Sequence, residues 1–182
     1  MASDRMLPIR QRIISEVLTL ATPFKTDSQQ SRHLDCRLIF DLCFHPAIVQ
    51  RMACIYGTDL LLWRSHSFDK GPGAAEVPWY QDRYYWPLEP LITISAWLAV
   101  GEATAENACV QIVPGAHNQI IPHVKAPPYM LFRQMADPNY MSTQPVIDMQ
   151  LQPGQFFLFN EQAIHRSAAN TSNRRRIGLT SG

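Results

Sequence analysis

Charge of one sign is missing from this sequence: 16 Lys and Arg stand against 15 Asp and Glu, a formal net charge of +1. Nucleic acid and anionic membrane surfaces are bound through a basic excess, so neither is an expected partner. The one basic run, Arg174-Arg175-Arg176, is too short for such a footprint. Cysteine is sparse: the four residues Cys36, Cys43, Cys54 and Cys109 include no CxxC pair. That pattern fits neither a disulfide framework nor a zinc site, and buried free thiols in a reducing compartment are the expectation. Long apolar runs are lacking too, none approaching the ~20 residues of a membrane span. Met1 to Arg12 carries charges but no apolar h-region, so no signal peptide is expected. Repeats and low-complexity segments are absent. Together these absences leave a soluble, cytoplasmic protein as the expectation.

What is present is apolar: 46% of the residues are hydrophobic, enough for the core of a single domain. Ile9, Ile13, Ile14, Val17 and Leu18 recur with helical period, predicting a helix over 7–20. Residues 21–32, with Pro23, Asp27, Ser28 and Ser31, read as turn. Leu34, Leu38, Ile39 and Leu42 form the stripe of a second helix over 34–44. Pro46 suits the first turn of a third helix, which Gly57 ends. The period then changes. Residues 60–68 read as extended, with Arg64, His66 and Phe68 on one face. A Gly/Pro loop follows over 69–78. Residues 91–100, 108–113, 146–151, 156–159, 163–168 and 175–180 read as strands, and 120–140 as a long irregular segment. Helices first and short strands afterwards predict an α+β, mainly β chain whose β part closes as a sandwich or jelly roll.

Two segments carry the chemistry. Val77-Pro78-Trp79-Tyr80-Gln81-Asp82-Arg83-Tyr84-Tyr85-Trp86-Pro87 is dense in aromatics around a single carboxylate, Asp82. Far along the chain come His165-Arg166-Ser167 and then Arg174-Arg175-Arg176. An acid, a distant lone His and a following Arg suggest a mononuclear iron site beside an anionic co-substrate. Fe(II) that must also bind oxygen and a chelating co-substrate keeps three positions open, so two imidazoles and a carboxylate are the usual protein ligands. His-x-Asp on one strand end supplies two ligands, because residues i and i+2 point alike. An Arg grips the far carboxylate through a forked double hydrogen bond. Here Tyr80 stands where the first His is wanted. The plainer readings are a turn carboxylate for Asp82 and a satisfied core His for His165.

Four pieces, in order, resemble the phytanoyl-CoA dioxygenase family of Fe(II)/2-oxoglutarate oxygenases. Pro78-Trp79-Tyr80-Gln81-Asp82 with Tyr85-Trp86-Pro87 is similar to the family's Trp-His-Gln-Asp motif. Ser95-Ala96-Trp97-Leu98-Ala99 follows. Asn107-Ala108-Cys109 with Val113-Pro114-Gly115-Ala116-His117 is similar to its Asn-Gly-Cys and Pro-Gly-Ser-His segment. His165-Arg166-Ser167 through Asn170 to Arg176 is the last. The resemblance implies a double-stranded β-helix, a cupin-like jelly roll flanked by N-terminal helices. It implies 1–57 as helical flank and 58–182 as jelly roll, cut short at both ends relative to the family. It implies Fe(II), 2-oxoglutarate and O2 as cofactors, with Asp82 and His165 as metal ligands and Arg176, or Arg175 one residue away, on the 2-oxoglutarate carboxylate. Ser167 would hydrogen-bond the same carboxylate, and Trp97, Arg64 and His66 would line the cavity. Tyr80 and Ala116 depart from the pattern. Tyr80 reads as a packed aromatic in a site that has lost a ligand, as a phenolate ligand, or as an orienting or radical group. A phenol ordinarily titrates near 10, and phenolate favours Fe(III). His66 is a candidate substitute ligand, and His117 a structural hydrogen-bonder.

The expected function is hydroxylation of a small organic substrate with release of succinate and CO2. The alternatives are a catalytically silent jelly-roll binder that has lost an iron ligand at Tyr80, and a metal-binding cupin without 2-oxoglutarate.

Overall fold

The computed structural model describes residues 1–20, 29–86, 88–90, 92–130 and 132–182. The turn expected at Pro23, Asp27 and Ser28, the motif residue Pro87 and the strand start at Leu91 lie outside them.

Helix α1 (Met6–Arg12) runs into a π-helical turn, Ile13–Val17. Of the expected stripe, Ile13 and Val17 are buried and Ile9, Ile14 and Leu18 partly so, and Met6, just before the expected start, joins them. Helix α2 spans Arg37–Cys43 and α3 Pro46–Tyr56, with Pro46 at its start and Gly57 (φ 84°) at its end. Leu34 falls outside α2 in a separate turn and is exposed, so the second stripe begins later than the apolar spacing suggests. Cys54 is exposed as well, unlike the buried thiol expected, although all four cysteines are free.

Among the described residues ten strands follow: β1 (Ser65–Lys70), β2 (Val77–Tyr80), β3 (Ile94–Ala99), β4 (Val110–Ile112), β5 (His123–Lys125), β6 (Gln134–Ala136), β7 (Ile147–Met149), β8 (Phe156–Asn160), β9 (His165–Ser167) and β10 (Arg176–Ser181). One antiparallel sheet has the order β1-β10-β3-β8 and the other β2-β9-β4-β7. Sequence neighbours thus alternate between sheets, as in a double-stranded β-helix. The segment expected to be irregular over 120–140 contains the β5–β6 hairpin and the short helix α4 (Pro138–Met141). Its alternating pattern is only three residues long on each strand, too short for a sequence signal. Conversely, 60–64 is not strand, and Leu61 points to solvent.

Strand β3 is buried on both faces. Leu98, with Val100 just beyond it, joins Met6, Ile13, Ile39 and Leu42 in the core that fastens the helices to the first sheet. Trp97 and Ala99 point the other way, into the space between the sheets, with Cys109 and Val110. Among the described residues no single helix is long and apolar enough to cross a membrane.

Candidate active site

The space between the sheets is a cavity of about 330 Å³. Tyr80, Asp82, Arg64, His66, Trp97, His165, Ser167 and Arg176 all line it. Every residue expected at the site therefore reaches one cavity, from β1, β2, β3, β9, β10 and the connections beside them. Phe68, Tyr85, Trp86, Phe132 and Phe159 make most of its wall apolar.

Tyr80 ends β2 and sits opposite His165 of β9 in the ladder. Asp82 begins a single helical turn just beyond, its backbone carbonyl accepting the N–H groups of Tyr85 and Trp86. Gln81 between them is fully buried and acts as a clamp. Its amide N–H groups reach the carbonyls of Gln119 (2.7 Å) and Gln162 (2.5 Å), and its oxygen accepts from the Ile121 N–H (3.0 Å). The Gln81 N–H in turn donates to His123 Nε2 at 3.2 Å, and that ring stacks on Tyr84. Asp82 is thus aimed by polar side chains to which the sequence reading assigned no role.

Asp82 Oδ1 lies 4.0 Å from His165 Nε2. His165 Nδ1 is 2.9 Å from the Ala163 carbonyl, which can only accept, so Nδ1 holds the proton and Nε2 offers a lone pair. Burial pulls the imidazole down to about 4, so it is neutral at physiological pH. Burial pushes Asp82 up to about 7, with Arg64 opposing and Glu161 adding to the rise. The Asp82 carboxylate has no hydrogen bond from another described side chain. Two acceptors facing each other without a shared proton donor form two corners of a cation site. The third corner is different. The Tyr80 ring lies 4.2 Å from the His165 ring and 4.6 Å from Phe132, packed as an aromatic. Burial, then Asp82, hold the phenol well above its ordinary value, so it stays protonated. Among the described residues no third His, Cys, Asp or Glu joins Asp82 and His165. His66 is therefore no substitute ligand; its ring stacks on Phe68 at 4.1 Å. The donor set fits iron in two of its three protein positions.

Strand alternation decides between the two arginines. Arg175 turns away and pairs with Asp69 through two contacts of 2.6 and 2.5 Å. Arg176 turns inward, is 3% exposed, and leaves its buried Nε without a partner. Its guanidinium lies 5.3 Å from the centre of the Trp97 ring, a cation–π contact. Gly178 makes room for that ring: a Cβ there would meet Trp97 Cζ2 at 2.2 Å. Arg176 Nη2 donates to Ser167 Oγ at 3.2 Å. Lys70, opposite Arg176 in the β1–β10 ladder, donates to the same oxygen at 2.9 Å and to the carbonyls of Ser167 and Ala168. The Ser167 hydroxyl gives its own proton to the Ala108 carbonyl at 2.9 Å. One donor and two lone pairs are then used up. In this arrangement Ser167 holds the two cations and has no proton left for a ligand carboxylate, which differs from the role expected of it. Burial, and then Arg176, bring Lys70 down to about 8; burial brings Arg176 down to about 10. Lys70 was missed in the sequence, although the alternation of Arg64, His66 and Phe68 extends to it. Phe132 lies in a stretch with no periodic pattern and had no signal at all. An orphaned buried N–H and a second buried cation beside it fit an anion such as 2-oxoglutarate.

The family model for phytanoyl-CoA dioxygenase matches residues 11–178. A probable phytanoyl-CoA dioxygenase of Caenorhabditis elegans is 26% identical over 149 residues, covering 75% of this chain and 47% of that protein. The chain spans about half the length of the curated relatives it matches. A non-heme alpha-ketoglutarate-dependent carbocyclase from nogalamycin biosynthesis superposes with a TM-score of 0.77 at 21% identity, covering 100% of this chain and 75% of the other. EctD from S. alaskensis, solved with 2-oxoglutarate and 5-hydroxyectoine, also gives 0.77, at 15% identity over 100% of this chain and 68% of that one. At these identities the two structures establish the shared jelly roll. The match to the family model spans nearly the whole sequence, and the chain belongs to the phytanoyl-CoA dioxygenase family.

Proposed function

We propose that this chain is the oxygenase domain of an Fe(II)/2-oxoglutarate-dependent enzyme that hydroxylates a small organic molecule. One observation carries the reading: Asp82, His165 and Arg176 meet on a single, largely apolar cavity. Asp82 and the Nε2 of His165 would hold the ferrous ion. Arg176 would take the far carboxylate of 2-oxoglutarate, its guanidinium oriented by Ser167 below and Trp97 alongside. Iron, 2-oxoglutarate and O2 supply the oxidising power, with succinate and CO2 as by-products. The chain's own residues orient and exclude water. Tyr85 and Phe132 wall the cavity on the Tyr80 side, where an apolar substrate would lie. The free thiols, one of them exposed, support a reducing compartment such as the cytoplasm.

Tyr80 favours a second reading, a silent binding protein that keeps the Arg176 pocket and holds iron weakly. Anaerobic addition of Fe(II) and 2-oxoglutarate separates the two. A visible metal-to-ligand charge-transfer band in the native chain supports the oxygenase. No band in the native chain, but one in Tyr80→His, supports the silent binder. No band in either overturns both assignments of Asp82 and His165.

A further inference from the structure

A second guanidinium faces the same cavity. Arg64 precedes β1, where its backbone is paired with Gly182 by N–H···O contacts of 3.2 and 3.0 Å. Its side chain donates to Gln30 Oε1 at 3.2 Å, and both residues line the cavity. No carboxylate lies within ion-pair distance of Arg64 among the described residues. The charges around the cavity do not balance. Arg64, Arg166 and Arg176 line it, and Asp82 is the one acidic side chain among the lining residues. Behind that layer, Lys70 beside Arg176 is offset by buried Glu161 near Asp82. Arg166, which alternates outward between His165 and Ser167, is engaged by Gln111 and the Trp79 ring, so Arg64 and Arg176 are the guanidinium groups left to the cavity against the Asp82 carboxylate, a positive surplus that suits an anionic ligand. Arg64 and Arg176, neither with a carboxylate in ion-pair distance among the described residues, are also differently placed. Arg176 sits beside Ser167 and Trp97, whereas Arg64 acts electrostatically on Asp82 and Tyr80.

We propose that Arg64 is a second carboxylate anchor, so that a short dicarboxylate bridges Arg176 and Arg64 and binds this chain without a metal ion. The idea rests on the Arg176 reading above and adds the opposite end. With a complete set of protein ligands, a bound metal would supply the grip on the near end of 2-oxoglutarate. Here Tyr80 stands in place of one protein ligand, and the Arg64 guanidinium lines the same cavity. A forked donor holds a carboxylate by charge and geometry, with no need for the keto group.

Glutarate tests this directly, because it has both carboxylates of 2-oxoglutarate and no keto oxygen to chelate a metal. Pentanoate has only one carboxylate. Titration calorimetry of the native chain in EDTA should show 2-oxoglutarate and glutarate binding with Kd values within about threefold of each other. Pentanoate should bind roughly 10-fold or more weakly, and Arg64→Gln should weaken glutarate by roughly 10- to 100-fold, the loss expected for a charge-assisted bond. Arg64→Lys, which retains the charge but not the fork, should fall between, and thermal melts check that both variants fold. Binding of 2-oxoglutarate only when Fe(II) or Mn(II) is present, with glutarate inert, overturns the second anchor and leaves the oxygenase reading standing. Glutarate bound equally well by the native chain and by Arg64→Gln also overturns it. Failure of 2-oxoglutarate to bind with or without metal rejects the Arg176 pocket itself.

Discussion

Arg175 and Arg176 are chain neighbours with opposite surroundings, and function turns on that difference. Arg175 neutralises Asp69 near the surface, while Arg176 is buried with an unused N–H. Arg176→Gln should weaken 2-oxoglutarate by roughly 30-fold or more through loss of a forked, charge-assisted contact. Arg175→Gln should leave binding unchanged and cost about 1 kcal/mol of stability at most, because the pair is partly exposed. Calorimetry and urea denaturation read the two effects. At the metal corner, the carboxylate must be ionised to ligate, and Asp82 sits at about 7 while His165, at about 4, is already neutral. Apparent Mn(II) affinity should therefore be flat above about pH 7 and fall below it by up to roughly tenfold per pH unit. A titration series followed by electron paramagnetic resonance measures this, and affinity that rises on acidification refutes it. Lys70 carries a different pH signature. Its value is about 8 in the fold against 10.5 for an exposed lysine. Between those values the unfolded chain holds the extra proton, so stability rises with pH through the window and is lowest below about 8. The gain is about 3 kcal/mol at most. In Lys70→Met it should vanish, as chemical denaturation at the two ends of the window would show.

At the scale of elements, β10 joins the site to the core. Its first residue is Arg176, and its neighbours Ile177 and Leu179 pack under the helices with Leu98. Gly178, on the cavity side, has no side chain because the Trp97 ring occupies that space. Gly178→Ala forces the ring or the strand to move, and overpacking of this kind typically costs about 1–3 kcal/mol. Since Trp97 also carries the Arg176 contact, the same variant should lose 2-oxoglutarate affinity even where it remains folded. Thermal unfolding and calorimetry on one sample check both. Turn residues matter as much as strands on the other side of the cavity. Gln81 and His123 tie the end of β2 to the 119–121 and 162 turns, which is why Asp82 points inward.

On the scale of the whole molecule, the cavity lies between two sheets that Lys70 and Arg176 tie together through Ser167. A dianion bridging β10 and the start of β1 stabilises the folded state by mass action. At a concentration 100 times its Kd, 2-oxoglutarate should add about 2.7 kcal/mol, seen as a rise of roughly 5–10 °C in Tm. Pentanoate at the same concentration should produce much less.

Much of this was legible from spacing alone. Helical period marked α1, and Pro46 and Gly57 marked the ends of α3, because burial of one face and backbone limits at Pro and Gly act locally; within α3 itself Ile48 is buried and Ile55 exposed. Two-residue alternation placed Arg64, His66 and Phe68 on one face for the same reason. The order of four short motifs pointed to the pairing of Asp82 with His165. The rest depended on contacts between residues far apart in the chain. Whether Arg175 or Arg176 faced inward hung on a single step of strand register, which flips every side chain. Lys70 became a buried cation only through its position opposite Arg176, and Ser167 lost its free proton only because the Ala108 carbonyl lies beside it. Residue types and local periodicity are properties of the sequence; which buried charges remain unpaired is decided when the two sheets close.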